Sequence, residues 1–203
     1  MKPTIQQNNS YQGLYDYFNR KLFNNELNAC YLTMIPSKVN NGGHFSPERW
    51  TDAQGNKAHE ISMNPHGYAI HDNKFFASIL VHEMVHLFIH DSLEKPPRGG
   101  YHCKRWGAKM KEVGLYPSNT GEPGGKETGQ QMSHYIMEEG LFAEAYESMP
   151  KGLFLPFKRY APTSKKKPKS KFKYTCPSCE ANIWGKAELN IVCGDCGENF
   201  EME

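Results

Sequence analysis

Several features are scarce in this chain of 203 residues. No uninterrupted apolar stretch approaches the ~20 residues that span a bilayer, so no membrane partner is expected. Met1 to Ser10 is polar and lacks the apolar run of a secretory leader. Hydrophobic residues make up 38%, enough for a core in part of the chain only. No internal repeat is visible. Cysteines number six, and four of them fall in two C-x-x-C pairs. Without a secretory leader, that pattern suggests metal thiolates in a reducing compartment rather than disulfides. The expected location is therefore a reducing cytoplasm.

Charge is unevenly spread. The overall +2 combines −1 over residues 1–156, +8 over 157–173 and −5 over 174–203. Residues 157–173 hold eight Lys/Arg and no acid, cannot build a core, and read as a basic linker. The expected organisation is a flexible N-terminus (1–10), a main domain (11–156), the linker (157–173) and a small terminal unit (174–203).

The most informative stretch is Phe75 to Asp91, an apolar run containing His82-Glu83-Met84-Val85-His86. On a helix, positions i and i+4 share a face, so both imidazoles reach one metal ion. Glu83 lies about 100° further round. From there it can act as a base on a water held by the metal without ligating the metal itself. Apolar residues on nearly every face predict a buried central helix, with Asp72 or Asn73 as N-cap and an end near Ser92.

A catalytic zinc site needs a third protein ligand. His90 continues the same face but lies two turns from His82, about 11–12 Å away, which is too far for one ion. It reads instead as a histidine favoured near a helix C-terminus. His102 is the stronger candidate: it follows the Gly99-Gly100 break and opens a helix whose Trp106, Met110 and Val113 face inward. His134 is its main competitor, and Cys103 suits a structural site better. His44, His59, His66 and His71 read as surface or supporting histidines. Tyr101, His134 and Tyr135 are candidate donors to the transition state, and the Gly124 to Tyr135 segment reads as a substrate-facing loop.

Elsewhere, the pattern Tyr11, Leu14, Tyr15, Phe18, Leu22 predicts a helix capped by Ser10. Strands are expected over Leu27–Ile35, Gly42–Trp50 and, antiparallel after a turn at Asp52–Asn56, Ala58–Pro65. Pro117–Gly125 reads as a loop, Gln131–Met137 as a short strand and Leu141–Ser148 as a helix. Cys176-x-x-Cys179, thirteen residues, then Cys193-x-x-Cys196 predicts a closed structural zinc site. Tyr174, Ile183, Trp184, Ile191, Val192 and Phe200 are expected to pack around it.

His82-Glu83-Met84-Val85-His86 followed by His102-x-x-x-Trp106 resembles the SprT-like (SprT/Spartan-like) zinc metallopeptidases. The stretch Leu14 to Leu27 is similar to the family's opening helix, and a terminal zinc ribbon recurs in many members. One departure is Cys103, where the family often has Gly. The resemblance implies an α+β, zincin-like minimal peptidase domain, with helices and a small, mostly antiparallel sheet, followed by a β zinc ribbon. It implies His82, His86 and His102 as ligands of a catalytic Zn²⁺, Glu83 as the base, and a second, structural Zn²⁺ on the ribbon. The implied substrate is protein associated with or crosslinked to DNA. The basic linker, through Lys165, Lys166, Lys167, Lys169, Lys171 and Lys173, is the expected sequence-independent DNA contact. Two other readings compete: a non-catalytic, zinc-containing, DNA-associated regulatory protein, and a peptidase with unrelated substrates. An intact Glu83 argues against the non-catalytic reading.

Overall fold

The computed structural model describes residues 2–37, 42–158 and 170–203. The fold is mixed helix and small sheets, an α+β arrangement, in two compact units that divide between Tyr160 and Ala161. Among the described residues no helix is long and apolar enough to cross a membrane.

The first unit opens with α1 (Pro3–Leu22), which corrects the expectation of a frayed N-terminus and a Ser10 cap. Pro3 sits in the first turn, where its fixed φ suits a helix and its missing N–H costs nothing. Gln7 then anchors this end: its amide donates to Phe157 O (3.2 Å) and accepts from Phe157 N (3.0 Å). The helix buries Tyr11, Leu14, Tyr15, Phe18 and Leu22, the stripe read from the sequence.

Three strands follow: β1 (Tyr31–Met34), β2 (Gly43–Thr51) and β3 (Lys57–Met63). Asp52 closes the β2–β3 turn by accepting from Gln54 N and Asn56 N. The sheet order is β1-β3-β2, with β2 antiparallel and β1 parallel to β3. β2 is therefore an edge strand. A short helix, α2 (Pro65–Ile70), was not foreseen; Asn64 caps it by accepting from His66 N (3.1 Å).

Next comes α3 (Asn73–Ser92), capped by Asp72, whose side chain accepts from Phe75 N (2.7 Å). It is buried on nearly all sides, as its uniform apolarity dictates. α4 (Lys104–Glu112) buries Trp106 and Met110, and Gly114 beyond it takes φ +89°. The expected loop from Pro117 is partly wrong: β4 (Leu115–Ser118) pairs antiparallel with β5 (Ser133–Ile136). α5 (Leu141–Glu147) completes the unit by laying Phe142 on Phe18, their rings 5.5 Å apart.

The second unit is a three-stranded sheet ordered β7-β6-β8, with β6 (Phe172–Thr175), β7 (Asn182–Gly185) and β8 (Glu201–Met202). Two knuckles of the same form carry its cysteines. Cys176 O accepts from Glu180 N (2.9 Å) and Cys193 O accepts from Gly197 N (2.8 Å). Tyr174 is buried beneath them, but Trp184 and Val192 are 63% and 58% exposed, contrary to the expected packing. Trp184 lies at a strand position that faces out of a sheet too small to have two covered faces.

Candidate metal centre and active site

The middle of α3 sets the site. His82 and His86 stand one turn apart, and Glu83 between them is buried. His102 arrives at the start of α4, held by a two-way backbone bridge. Its N–H donates to Gly129 O (2.8 Å), and Gly129 N–H donates to His102 O (3.1 Å). Gly129 has φ +149°, a region that side chains disfavour. Gly129 O also lies 3.1 Å from His102 Nδ1, and a carbonyl can only accept. That nitrogen therefore carries the proton, leaving Nε2 bare.

Three Nε2 atoms converge. His86 and His102 lie 3.0 Å apart at Nε2, and His102 and His82 3.3 Å. A tetrahedral zinc at about 2.0–2.1 Å from each nitrogen separates its ligands by about 3.3 Å. The donor set therefore fits such an ion. Trp106 backs all three rings, with centroids 4.9, 5.4 and 4.4 Å from His82, His86 and His102.

Electrostatics point the same way. Burial holds His82 well below the ordinary histidine range and brings His86 down to about 3; it also lowers His102. All three are therefore neutral with lone pairs available. Burial pushes the Glu83 carboxyl up to about 8, opposed by a hydrogen bond from Phe45 N–H. Close approach of β2 makes that bond possible. A Cβ on Gly43 would lie 3.3 Å from Glu83 Cγ and 3.0 Å from Ser62 O.

The histidines open into a cleft of about 830 Å³ whose walls include His44, Phe45, Ile79, Tyr101 and Met132. Tyr101 is 37% exposed on its rim, with the Arg98 guanidinium 5.6 Å from its ring. Of the other two donor candidates, only His134 lines the cleft wall. Tyr135 does not line the cleft; it stacks on Tyr116 at 5.1 Å, on the side of β5 opposite His134. His134 is buried with both nitrogens engaged, Nδ1 at 3.1 Å from His82 Nδ1 and Nε2 at 2.8 Å from Ser78 Oγ. Burial lowers its pKa to about 4.

His90 falls outside the centre and groups with His59 and Asp91. Asp91 Oδ1 lies 3.1 Å from His90 Nδ1 and 3.2 Å from His59 Nε2. His59 Nδ1 accepts from Glu48 N–H (2.9 Å), so its Nε2 holds the proton and this cluster reads as a hydrogen-bonded network.

In the second unit Cys176, Cys179, Cys193 and Cys196 bring their sulfurs together within 4.8 Å. Cys179 and Cys193 Sγ are 3.7 Å apart, near the edge of a tetrahedron with Zn–S bonds of about 2.3 Å. Of the basic candidates, Lys165, Lys166, Lys167 and Lys169 lie outside the described residues. Lys171 is exposed. Lys173 belongs to β6 and pairs with Glu203 at 2.7 Å, so its charge is partly committed.

Sequence reading missed Gly43, Phe45 N–H, Ser78 and Gly129. Only Ser78 left a signal, as a lone hydroxyl one turn before His82 on an apolar helix. Comparison with curated proteins gives no significant match. The SprT-like family pattern matches residues 11–123, a span that contains α3, His102 and Trp106. With a candidate zinc centre of three histidines and a four-cysteine cluster near its C-terminus, this chain belongs to the SprT-like family, whose domain is of metallopeptidase type.

Proposed function

We propose that the chain is a zinc-dependent peptidase with a zincin-like catalytic unit, acting on protein associated with or crosslinked to DNA. The observation that carries the reading is Glu83: a buried carboxyl beside three converging imidazole nitrogens and in contact with an open cleft. A closed structural site has no use for such a group, and burying it unpaired is costly.

His82, His86 and His102 would hold the catalytic zinc, and the four cysteines a structural one. When bound, catalytic zinc supplies a polarised carbonyl and a more acidic water. The protein's own groups do the rest. Glu83 takes the proton of the attacking water and returns it to the leaving amine. Phe45 N–H aims the carboxyl and favours its ionised form, as a metal ion held by the three histidines would. The Tyr101 hydroxyl donates to the oxygen that gains charge.

The cleft suits an extended peptide. Gly42 O accepts from Asn64 N, so even-numbered positions of β2 turn toward β3. Phe45 N–H turns the other way, toward Glu83. The outer edge at Gly43 and Phe45 has no strand paired to it among the described residues. A peptide laid along that edge passes directly over the site.

Support for DNA comes from the +8 of residues 157–173, since the unit that follows is acidic at −5. The test compares wild type and Glu83→Gln on a protein crosslinked to DNA and on the same protein free. Glu83-dependent cleavage favouring the crosslinked form is expected. Equal cleavage of both would remove the DNA coupling, and no cleavage of either would favour a zinc-containing binding protein.

A further inference from the structure

We propose that His134 is the positioning residue of the metal centre, accepting the Nδ1 proton of His82 and so fixing the tautomer that presents His82 Nε2 to the metal. This rests on the reading of His82, His86 and His102 as a zinc site. His134 lies beyond residues 11–123, which the family pattern covers.

The proton positions follow from one backbone carbonyl. Ser78 Oγ lies 2.7 Å from Phe75 O, and since a carbonyl only accepts, the hydroxyl donates there. Ser78 Oγ is then the acceptor for His134 Nε2 at 2.8 Å, so that nitrogen carries the proton. A neutral imidazole has one N–H, which leaves His134 Nδ1 bare. The contact at 3.1 Å to His82 Nδ1 therefore takes its proton from His82. His82 Nε2 is bare as a result, and it is the atom facing His102 Nε2 at 3.3 Å.

His102 is set in the same way by Gly129 O, so two bare nitrogens face each other until a cation lies between them. Such supports fix ring orientation and raise ligand basicity. His134 is itself rigidly placed. β5 pairs it with Pro117, and its ring stacks on Phe75 at 5.7 Å and 17°. Phe75, Ser78 and His82 fall on one face of α3, so a single helix face and a single strand residue complete the chain of bonds.

The experiment uses the full chain, stripped of metal and titrated with Zn²⁺ against a competing chelator, and separately with Co²⁺ followed by its visible spectrum. Wild type is expected to take two equivalents. In His134→Ala the affinity of the histidine-site equivalent should fall about 10–100-fold while the cysteine-site equivalent is unchanged. His134→Asn, whose Oδ1 can stand where Nδ1 stood, should recover most of that affinity and restore the Co²⁺ spectrum. Ser78→Ala, which frees the far end of the chain, should lose less. Thermal unfolding of the metal-free variants separates packing from positioning. If His134→Ala binds as tightly as wild type with an unchanged spectrum, the positioning role is overturned while the metal centre stands. If His134→Asn restores metal-free stability but not affinity, His134 is a packing residue and the proposal fails. If wild type takes no equivalent at the histidine site, both readings fail together.

Discussion

Glu83 shows how much of this site depends on single atoms. Its carboxyl is buried, meets one backbone N–H, and stands where Gly43 lets β2 come close. Neither partner could be foreseen, because a backbone N–H has no sequence signature and a glycine in a strand has several uses. His82, Glu83 and His86 were legible because helical periodicity alone puts them on adjacent faces. The tautomer of His82 was not, because it depends on a strand residue 52 positions away. Tyr101 is the donor candidate whose ring stands on the cleft rim. Tyr101→Phe should reduce kcat by about 10²–10³-fold, the usual cost of removing one donor to a developing oxyanion. Its thermal unfolding should match wild type, since the hydroxyl supports no packing. Steady-state kinetics beside a melting curve checks both halves.

At the scale of elements, α3 gathers groups whose ionised forms burial disfavours, and the metal-free chain should reveal this in its pH dependence. His86 is held down to about 3 and His134 to about 4, both first by burial. An unfolded histidine titrates near about 6.5. Below that pH the unfolded chain takes up protons that the folded chain refuses, so unfolding free energy falls as pH drops toward 4. Glu83 acts in the opposite sense. Held protonated up to about 8, it costs stability as pH rises from the ordinary carboxyl range to that value. Each group contributes at most about 1.4 kcal/mol per pH unit. Stability of the metal-free protein should therefore peak near pH ~6.5, where the histidine slope ends and the Glu83 slope continues. Denaturant unfolding across this range tests it, and Glu83→Gln should flatten the decline above the peak. Element boundaries were read unevenly. α3 was found nearly whole because its cap and composition agree. α1 was cut short because its first turns are polar, and Gln7 holds them through a long-range amide bond to Phe157. β4 was hidden by Pro117, which an edge strand tolerates because its N–H is not needed there.

At the scale of the molecule, chemistry and charge are assigned to different segments. The first unit has a large apolar core around Phe18, Leu80, Met84, Trp106 and Phe142 that does not depend on a metal. The second is small, with its tryptophan exposed and its four cysteines clustered, so a metal held by them would be its main source of order. Stripping metal should therefore open residues 174–203 to proteolysis while leaving 3–37 and 42–158 protected. Limited digestion read by mass spectrometry distinguishes this from global unfolding. The basic segment makes a separate prediction. Replacing Lys165, Lys166, Lys167 and Lys169 by Ser should weaken DNA binding at every sequence alike. The slope of log K against log salt should fall by about 0.7–0.9 for each phosphate no longer neutralised. This charge pattern was legible from the sequence alone, since a run of eight cations between a nearly neutral and an acidic segment needs no fold to be noticed. The cleft was not, because its walls come from β2, α3 and the segments around Tyr101 and Met132, brought together only by tertiary packing.

The central claim is that Glu83 is a base and not a structural acid. Wild type and Glu83→Gln, loaded to equal zinc content, should be compared for cleavage of a DNA-crosslinked protein. The account predicts unchanged metal binding and a rate lower by about 10²–10⁴-fold in the variant. Equal rates at equal zinc content would contradict it.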